Sequence, residues 1–486
     1  MGRRPFAPFA LLTLLALASA CRRRNEKPDD DAPPQPAPNP SATTFALLDD
    51  AADVGVDAPP SHAAPVAIDV ALAGDAIPQV KVLANTIADV MSHVPSCWKS
   101  ADARVFNLEA PIGERKGLPG DKTLLAFASP PQWFSDLNAA SRASAFVVAN
   151  NHSCDLGPQG LADTVNEAQK LGVKVIGADG GDPWQRVDVV EKDGRRVCVV
   201  AWTTFLNDKG RKQQGCLEGS AGAKVARAEL SRAGLDLVHE KLSSKGRWDG
   251  CDARIAFVHG GREYKPQIRP VMEQAEAAAA YVDAVIVSHP HVPDLVEAIA
   301  APAPKGDPQS SGGRAVGRAV PVYRSLGNFI SNQGIAWTLG MSVDLLSKDG
   351  VPDPIRTVWT RVSMIARLHF EWDSPANGEP TAPSTIKYGY TLAFTDRSGE
   401  GMIDIRLRPL PNGEGDAVAA KLRRGPKPFG ALIDAPCRVD QGVSPTCDAG
   451  GAVTPTVMSS SLAPASSDGR SGDGGDGGDD DEASPE

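Results

Sequence analysis

The apolar positions change rhythm along the chain. Short apolar or β-branched runs at residues 67–73, 104–108, 145–149, 173–176, 197–203, 255–258 and 284–287 predict strands. Stretches with a helical period lie between them, at 80–94, 158–171, 221–242 and 270–281. Ser220 stands where it would cap the third of these, and a proline falls near the start of the second. Strands alternating with helices predict an α/β domain built on a mainly parallel sheet with both faces covered. Residues 301–318 are rich in Pro, Gly and Ser and read as a surface insertion. Beyond Asn332 the rhythm changes. Runs at 362–370, 387–394 and 402–407 alternate as strands do, without helices between them, and predict a small β extension on the main domain whose job is to cover a sheet edge.

Both ends of the chain lack any such rhythm. Residues 22–65 are rich in Pro, Ala and Asp and read as a disordered linker, and 454–486, rich in Ser, Gly and Asp, as a disordered acidic tail. Ahead of the linker, Arg3 and Arg4 precede an apolar run over 9–17 and the small residues Ala18, Ser19 and Ala20, which is the order of a secretory signal peptide over 1–20. Cys21 follows at once, where a lipoprotein carries its lipid-bearing cysteine, although Ala18 stands where Leu is usual. An ordinary signal peptide followed by an incidental cysteine is the competing reading. The lipoprotein reading predicts an exported protein of the cell envelope, periplasmic or at the surface, held to a membrane by its N-terminal lipid. Cys437 and Cys447 are close enough to close a small loop in an oxidising compartment, and no CxxC pair suggests a zinc ribbon.

Charge and motifs remove several functions. Lys and Arg number 50 against 60 Asp and Glu, a net charge of −10, which is the wrong sign for a nucleic-acid partner. No Walker A loop is present, no Gly-x-Ser-x-Gly elbow occurs in the core, and a Gly-x-Gly-x-x-Gly match falls only in the acidic tail.

What remains is a regularity of position. Residues able to bind a metal recur at the carboxyl ends of the expected strands: Asp75; Asn107 and Glu109; Asn150, Asn151, His152 and Asp155; His259 and Glu263; His289 and His291. In an open α/β sheet those ends share one crevice, so groups far apart in sequence converge there. Four of the eight histidines belong to this set. Imidazole and carboxylate together suit zinc, manganese or iron, as one ion or two. If 289–291 is extended, His289 and His291 project to the same side. Each piece alone has a plainer reading: a Gly-Asp is a turn, Asn151 caps a helix, and Cys154 beside His152 is buried filler. A binding domain that keeps the cluster for hydrogen bonding is the plainer reading of the whole.

The ordered set Gly74-Asp75, Asn107-Leu108-Glu109-Ala110-Pro111, Asn150-Asn151-His152-Ser153-Cys154-Asp155, His259-Gly260-Gly261-Arg262-Glu263-Tyr264, His289-Pro290-His291-Val292 and Ser325-Leu326-Gly327-Asn328-Phe329 resembles the CapA family of capsule-synthesis, poly-γ-glutamate-associated proteins. The resemblance covers about 66–332. It implies a calcineurin-like metallophosphatase fold, a layered sandwich with flanking helices, over 66–345; the chain's own pattern adds the β-rich extension at 346–450 and the tail at 451–486. It implies metal-ligand places for Asp75, Asn151, His152, His259, His289 and His291, and a bridging carboxylate at Glu109. Asp155, His259 and Glu263 are implied as proton-transfer or supporting groups, and Asn107, Asn150 and Asn328 as rim. Three departures stand out. Ile77 occupies the place of a histidine usual two residues after the first Asp, Gly260 stands for a Trp, and Ser288 for a Gly.

Three functions follow. One is synthesis or attachment of an anionic polymer such as poly-γ-glutamate or capsular polysaccharide, together with polymer-synthesis partners. The second is metal-dependent hydrolysis of a phosphoester or amide. The third is noncatalytic binding in the envelope, which predicts no bound metal.

Overall fold

The computed structural model describes residues 65–77, 86–113, 127–207, 210–305, 314–331, 333, 358–373, 381–398, 404–411, 415–425, 429–439 and 445–448. The signal-peptide segment, Cys21, the linker up to residue 64 and the acidic tail lie outside them. Among the described residues no helix is long and apolar enough to cross a membrane.

Two sheets carry the fold. The first holds β1 (Val66–Ala76), β2 (Ala103–Leu108), β3 (Ala145–Val147) and β4 (Lys174–Ile176), paired in that order and parallel. A short ribbon pairs β5 (Ala178–Asp179) with β8 (Lys224–Val225). The second sheet holds β6 (Val187–Lys192), β7 (Arg195–Thr203), β9 (Ala253–His259), β10 (Ala284–Ser288), β11 (Val296–Ala300) and β12 (Ala319–Tyr323). Within it β7, β9, β10 and β12 are parallel neighbours in the order β7-β9-β10-β12.

The strands that follow return to the first sheet. β13 (Asn328–Ile330) pairs with β1 in parallel, and β14 (Val362–Trp372) pairs with β1 in antiparallel register from Val66 opposite Trp372 to Leu72 opposite Ala366. β15 (Thr385–Ser398), β16 (Asp404–Pro409) and β17 (Cys447–Asp448) complete it. The expected β extension is thus continuous with the main sheet and covers an edge of β1.

Alternation assigns each face of the second sheet. In β7, Val197, Val199 and Ala201 enter the core shared with the first sheet. Cys198, Val200 and Trp202, their alternates, enter a second core with Val238, Leu242, Val271 and Ala275. The last four come from helices Arg232–Ser243 and Arg269–Ala279. Each fully buried valine or leucine contributes about 1.5–3 kcal/mol, so both faces are committed. The result is the layered sandwich with flanking helices of a calcineurin-like fold. Tyr323 is among the side chains that bridge the sheets: its buried hydroxyl on β12 lies 2.7 Å from Gly389 O and 3.1 Å from Arg367 O, on β15 and β14.

Several expectations need correcting. Residues 221–242 are not one helix. Their first part is extended, with Ala226 N–H donating to Gly177 O and Ala228 N–H to Thr203 O, and the helix begins at Arg232 under a Ser231 cap. Pairing across strand ends overrides alanine's helical preference there. Of the helix expected at 80–94, Ile87–Met91 is helical, and 78–85 lie outside the described residues. The insertion at 301–318 joins the antiparallel pair β11 and β12, and is not all surface: Arg314 is buried against Asp283 at 2.7 Å. Cys154 is not filler but is bonded to Cys216. Cys198 is bonded to Cys251, and Cys437 to Cys447 as their spacing suggests.

Candidate metal centre

The parallel strands end at one rim, and the polar groups gather there. Asp75, next to last in β1, lies beside Asn328 on β13, its register partner. This approach needs Gly74, because a Cβ there would stand 1.8 Å from Gly327 O. Asn107 is next to last in β2 and Glu109 follows that strand. Asn150, Asn151 and His152 follow β3. His259 ends β9, and His289 and His291 follow β10.

Glu109, His289 and His291 form a buried group whose ligand atoms lie within 4.8 Å of one another, an arrangement able to hold a metal ion. Both Glu109 carboxylate oxygens and His289 Nδ1 are buried without a hydrogen-bond partner. Unpartnered buried atoms of this kind are costly, and a cation offsets that cost. The residues therefore fit a metal on their own chemistry. Asp75 Oδ2 lies 3.2 Å from His291 Nδ1, and Asp75 Oδ1 accepts from Asn107 Nδ2 at 2.8 Å. Asn150 supports this floor, donating to Asn107 Oδ1 at 3.0 Å and to Leu108 O at 2.8 Å. His259 Nε2 lies 2.7 Å from Asn151 Oδ1 and 3.6 Å from Glu109 Oε1. Its Nδ1 lies 2.9 Å from Ser288 Oγ, so the serine that replaces the family's glycine orients this ring.

Charge follows burial. Desolvation pushes the Glu109 carboxyl well above the usual glutamate range, and Asp75 and Glu263 add to the rise. Desolvation, with the neighbouring histidines, holds His259 and His289 well below the usual imidazole range, so both are neutral, the form that binds metal. Burial also opposes charge on His291, but the hydrogen bond and charge of Asp75 outweigh it and leave that imidazole raised.

The segment 289–291 is not extended. His289 has φ 103° and His291 φ 58°, a conformation costly for side-chain-bearing residues, yet their rings stand 5.8 Å apart. The bend, not a strand's alternation, brings the two imidazoles together. Asn151 caps no helix: Leu156 holds the N-cap place of Gly157–Lys170. His152 lies beside the metal-type group rather than in it, with Nδ1 at 2.7 Å from Asp155 Oδ2. Glu263 is exposed at the rim.

Sequence reasoning missed the loop after β7. Asn207 Nδ2 is 3.3 Å from both ring nitrogens of His152, and Asn207 Oδ1 accepts from Asn151 Nδ2 at 3.2 Å. Phe205 meets the His289 ring edge-on at 5.0 Å, and Phe127 lies 4.1 Å from the His152 ring. Thr204 occupies the space beside Gly260, where a Cβ would stand 2.2 Å from its Oγ1, so the tryptophan of the family pattern has no room. The rule that found the other residues, polar groups at strand carboxyl ends, applies equally to Asn207.

Residues 69–333 match the family described as Bacterial capsule synthesis protein PGA_cap. The PGA biosynthesis protein CapA of Bacillus subtilis (strain 168) is 24% identical over 258 residues, 51% of this chain and 58% of that protein. The Capsule biosynthesis protein CapA of Bacillus anthracis is 25% identical over 265 residues, 51% of this chain and 54% of that protein. The matched region thus spans little more than half the length of either relative. Its residues 69–333, which include Asp75, Glu109, His289, His291 and every other group that converges at the rim, place the chain in the bacterial capsule synthesis PGA_cap family.

Proposed function

We propose that this protein acts in the synthesis or attachment of an anionic polymer of the poly-γ-glutamate or capsule type at the cell envelope, through a metal-dependent hydrolytic site. The observation that carries the reading is the buried group of Glu109, His289 and His291, with ligand atoms left unpartnered inside a family domain named for capsule synthesis. Asp75, Glu109, His289 and His291 would hold a divalent ion, manganese, iron or zinc, with Asn151 and His259 at its side. Such an ion lowers the pKa of a bound water and polarises a carbonyl or phosphoryl oxygen.

The chain's own residues supply the rest. His152, oriented through Nδ1 by Asp155, would present Nε2 to a leaving group and manage its proton. Asn207, which reaches both His152 and Asn151, would fix the substrate side of that pair. Phe127 and Phe205 shield the imidazoles from water. Export, with Cys21 lipidated, would place this site outside the cytoplasm, where polymer and polymer-synthesis proteins meet it.

The test is metal content and hydrolysis measured together. The purified chain should hold near-stoichiometric transition metal and cleave poly-γ-glutamate. The His289→Ala/His291→Ala variant should lose both while remaining folded. Cleavage of phosphoesters alone would assign the site to a phosphoesterase. Absence of metal in the wild type, after reconstitution with manganese, iron and zinc, would sink the catalytic reading and leave polymer binding.

A further inference from the structure

We propose that Asn328 is a metal ligand: its Oδ1 takes the place left empty by Ile77 and completes a subsite with Asp75, Glu109 and His291. The inference deepens the metal reading above and rests on it.

Three observations converge. First, the metallophosphatase pattern that the sequence resembles carries a histidine two residues after the first Asp, and Ile77, which stands there, cannot ligate. It is buried, and its N–H donates to Ile330 O at 2.9 Å, so β13 lies directly against this point. Second, β13 brings its own polar residue to the gap, because Asn328 is the register partner of Asp75. Third, the Asn328 amide has a fixed orientation. Its Nδ2 donates to Gln333 Oε1 at 3.0 Å and to Thr360 O at 2.9 Å, which uses both amide hydrogens. Its Oδ1 therefore faces the site, 3.0 Å from His291 Nδ1.

Around that one nitrogen stand three oxygens: Asn328 Oδ1 at 3.0 Å, Asp75 Oδ2 at 3.2 Å and Glu109 Oε2 at 3.6 Å. Glu109 Oε2 has no hydrogen-bond partner, so the set is short of a cation rather than closed on itself. Three oxygens and one imidazole nitrogen make a harder donor set than the histidine-bearing version would. That composition suits Mn2+. Gln333 and Thr360 act behind Asn328 as the groups that keep its oxygen turned inward.

The full chain, stripped with a chelator, would be titrated with MnCl2 while free Mn2+ is followed by electron paramagnetic resonance, and melting would be recorded for every variant. Asn328→Ala should weaken one class of Mn2+ site at least about 10-fold. Asn328→Asp, which places a carboxylate at the same point, should tighten it. Adding Ile77→His to Asn328→Ala should restore binding. If Asn328→Ala fails to fold, Asn328→Asp decides, and Mn2+ affinity unchanged from the wild type overturns the assignment. Wild-type affinity in both Asn328 variants likewise overturns it while leaving the metal reading intact. A wild-type chain that takes up no Mn2+, Fe2+ or Zn2+ refutes the metal reading itself, and this inference with it.

Discussion

His152 Nδ1 stands 2.7 Å from Asp155 Oδ2, with both side chains almost fully buried. The carboxylate fixes which ring nitrogen carries the proton, while Asn207 Nδ2 lies 3.3 Å from both of them. Asp155→Asn should keep the fold and the metal content but lower hydrolysis by about 10²–10⁴-fold, the usual worth of a positioned acid or base. The pH–rate profile should lose one limb. Equal loss of metal and activity in Asp155→Asn would instead make His152 a ligand.

Glu109 gives a prediction about stability. Its folded pKa is raised, so the folded metal-free protein keeps a proton that the unfolded chain has already released. Stability must then fall as pH rises above the ordinary glutamate range toward the folded value. Glu109→Gln removes that loss. The metal-free variant should melt above the metal-free wild type at about pH 7, and the gap should close near pH 4, while metal uptake disappears. Identical melting curves at both pH values would show that the carboxyl bears no such burden.

The Cys154–Cys216 bond ties the segment carrying His152 to the helix that follows Asn207, across a separation of 62 residues. Cys154→Ser/Cys216→Ser should cost about 2–4 kcal/mol of stability. It should also raise KM more than it lowers kcat if the loop after β7 serves substrate rather than chemistry. Denaturation and steady-state kinetics check the two parts separately.

Gly260 is held against Thr204. Gly260→Trp should destabilise by about 1–3 kcal/mol through overpacking. Thr204→Gly should rescue it by opening the space that the family's tryptophan would need. Failure of the rescue, read by thermal melting, would mean that the loop after β7, not one side chain, closes that space.

The site was legible because a parallel sheet gathers its strand ends, so Asp75, Glu109, His259, His289 and His291 could be grouped without knowing any contact. Asn207 escaped because no histidine marks its loop. Cys154 and Cys216 escaped because sequence gives no pairing rule over such a distance. The helix read over 221–242 failed where alanines fill an extended segment, since small residues fit buried extended chain and helix alike. The 289–291 bend was invisible for a different reason: its left-handed backbone is carried by histidines, where glycine would have been the signal.

Tyr323 has a consequence for anyone cutting this protein to size. Its hydroxyl sits in the family-matching region, but its partners Arg367 and Gly389 lie beyond residue 333. A fragment ending there would orphan a buried phenol and strip β14 from β1, baring a long strand edge ready to pair with a second copy. The family match ends at residue 333, short of the partners that its own buried phenol uses.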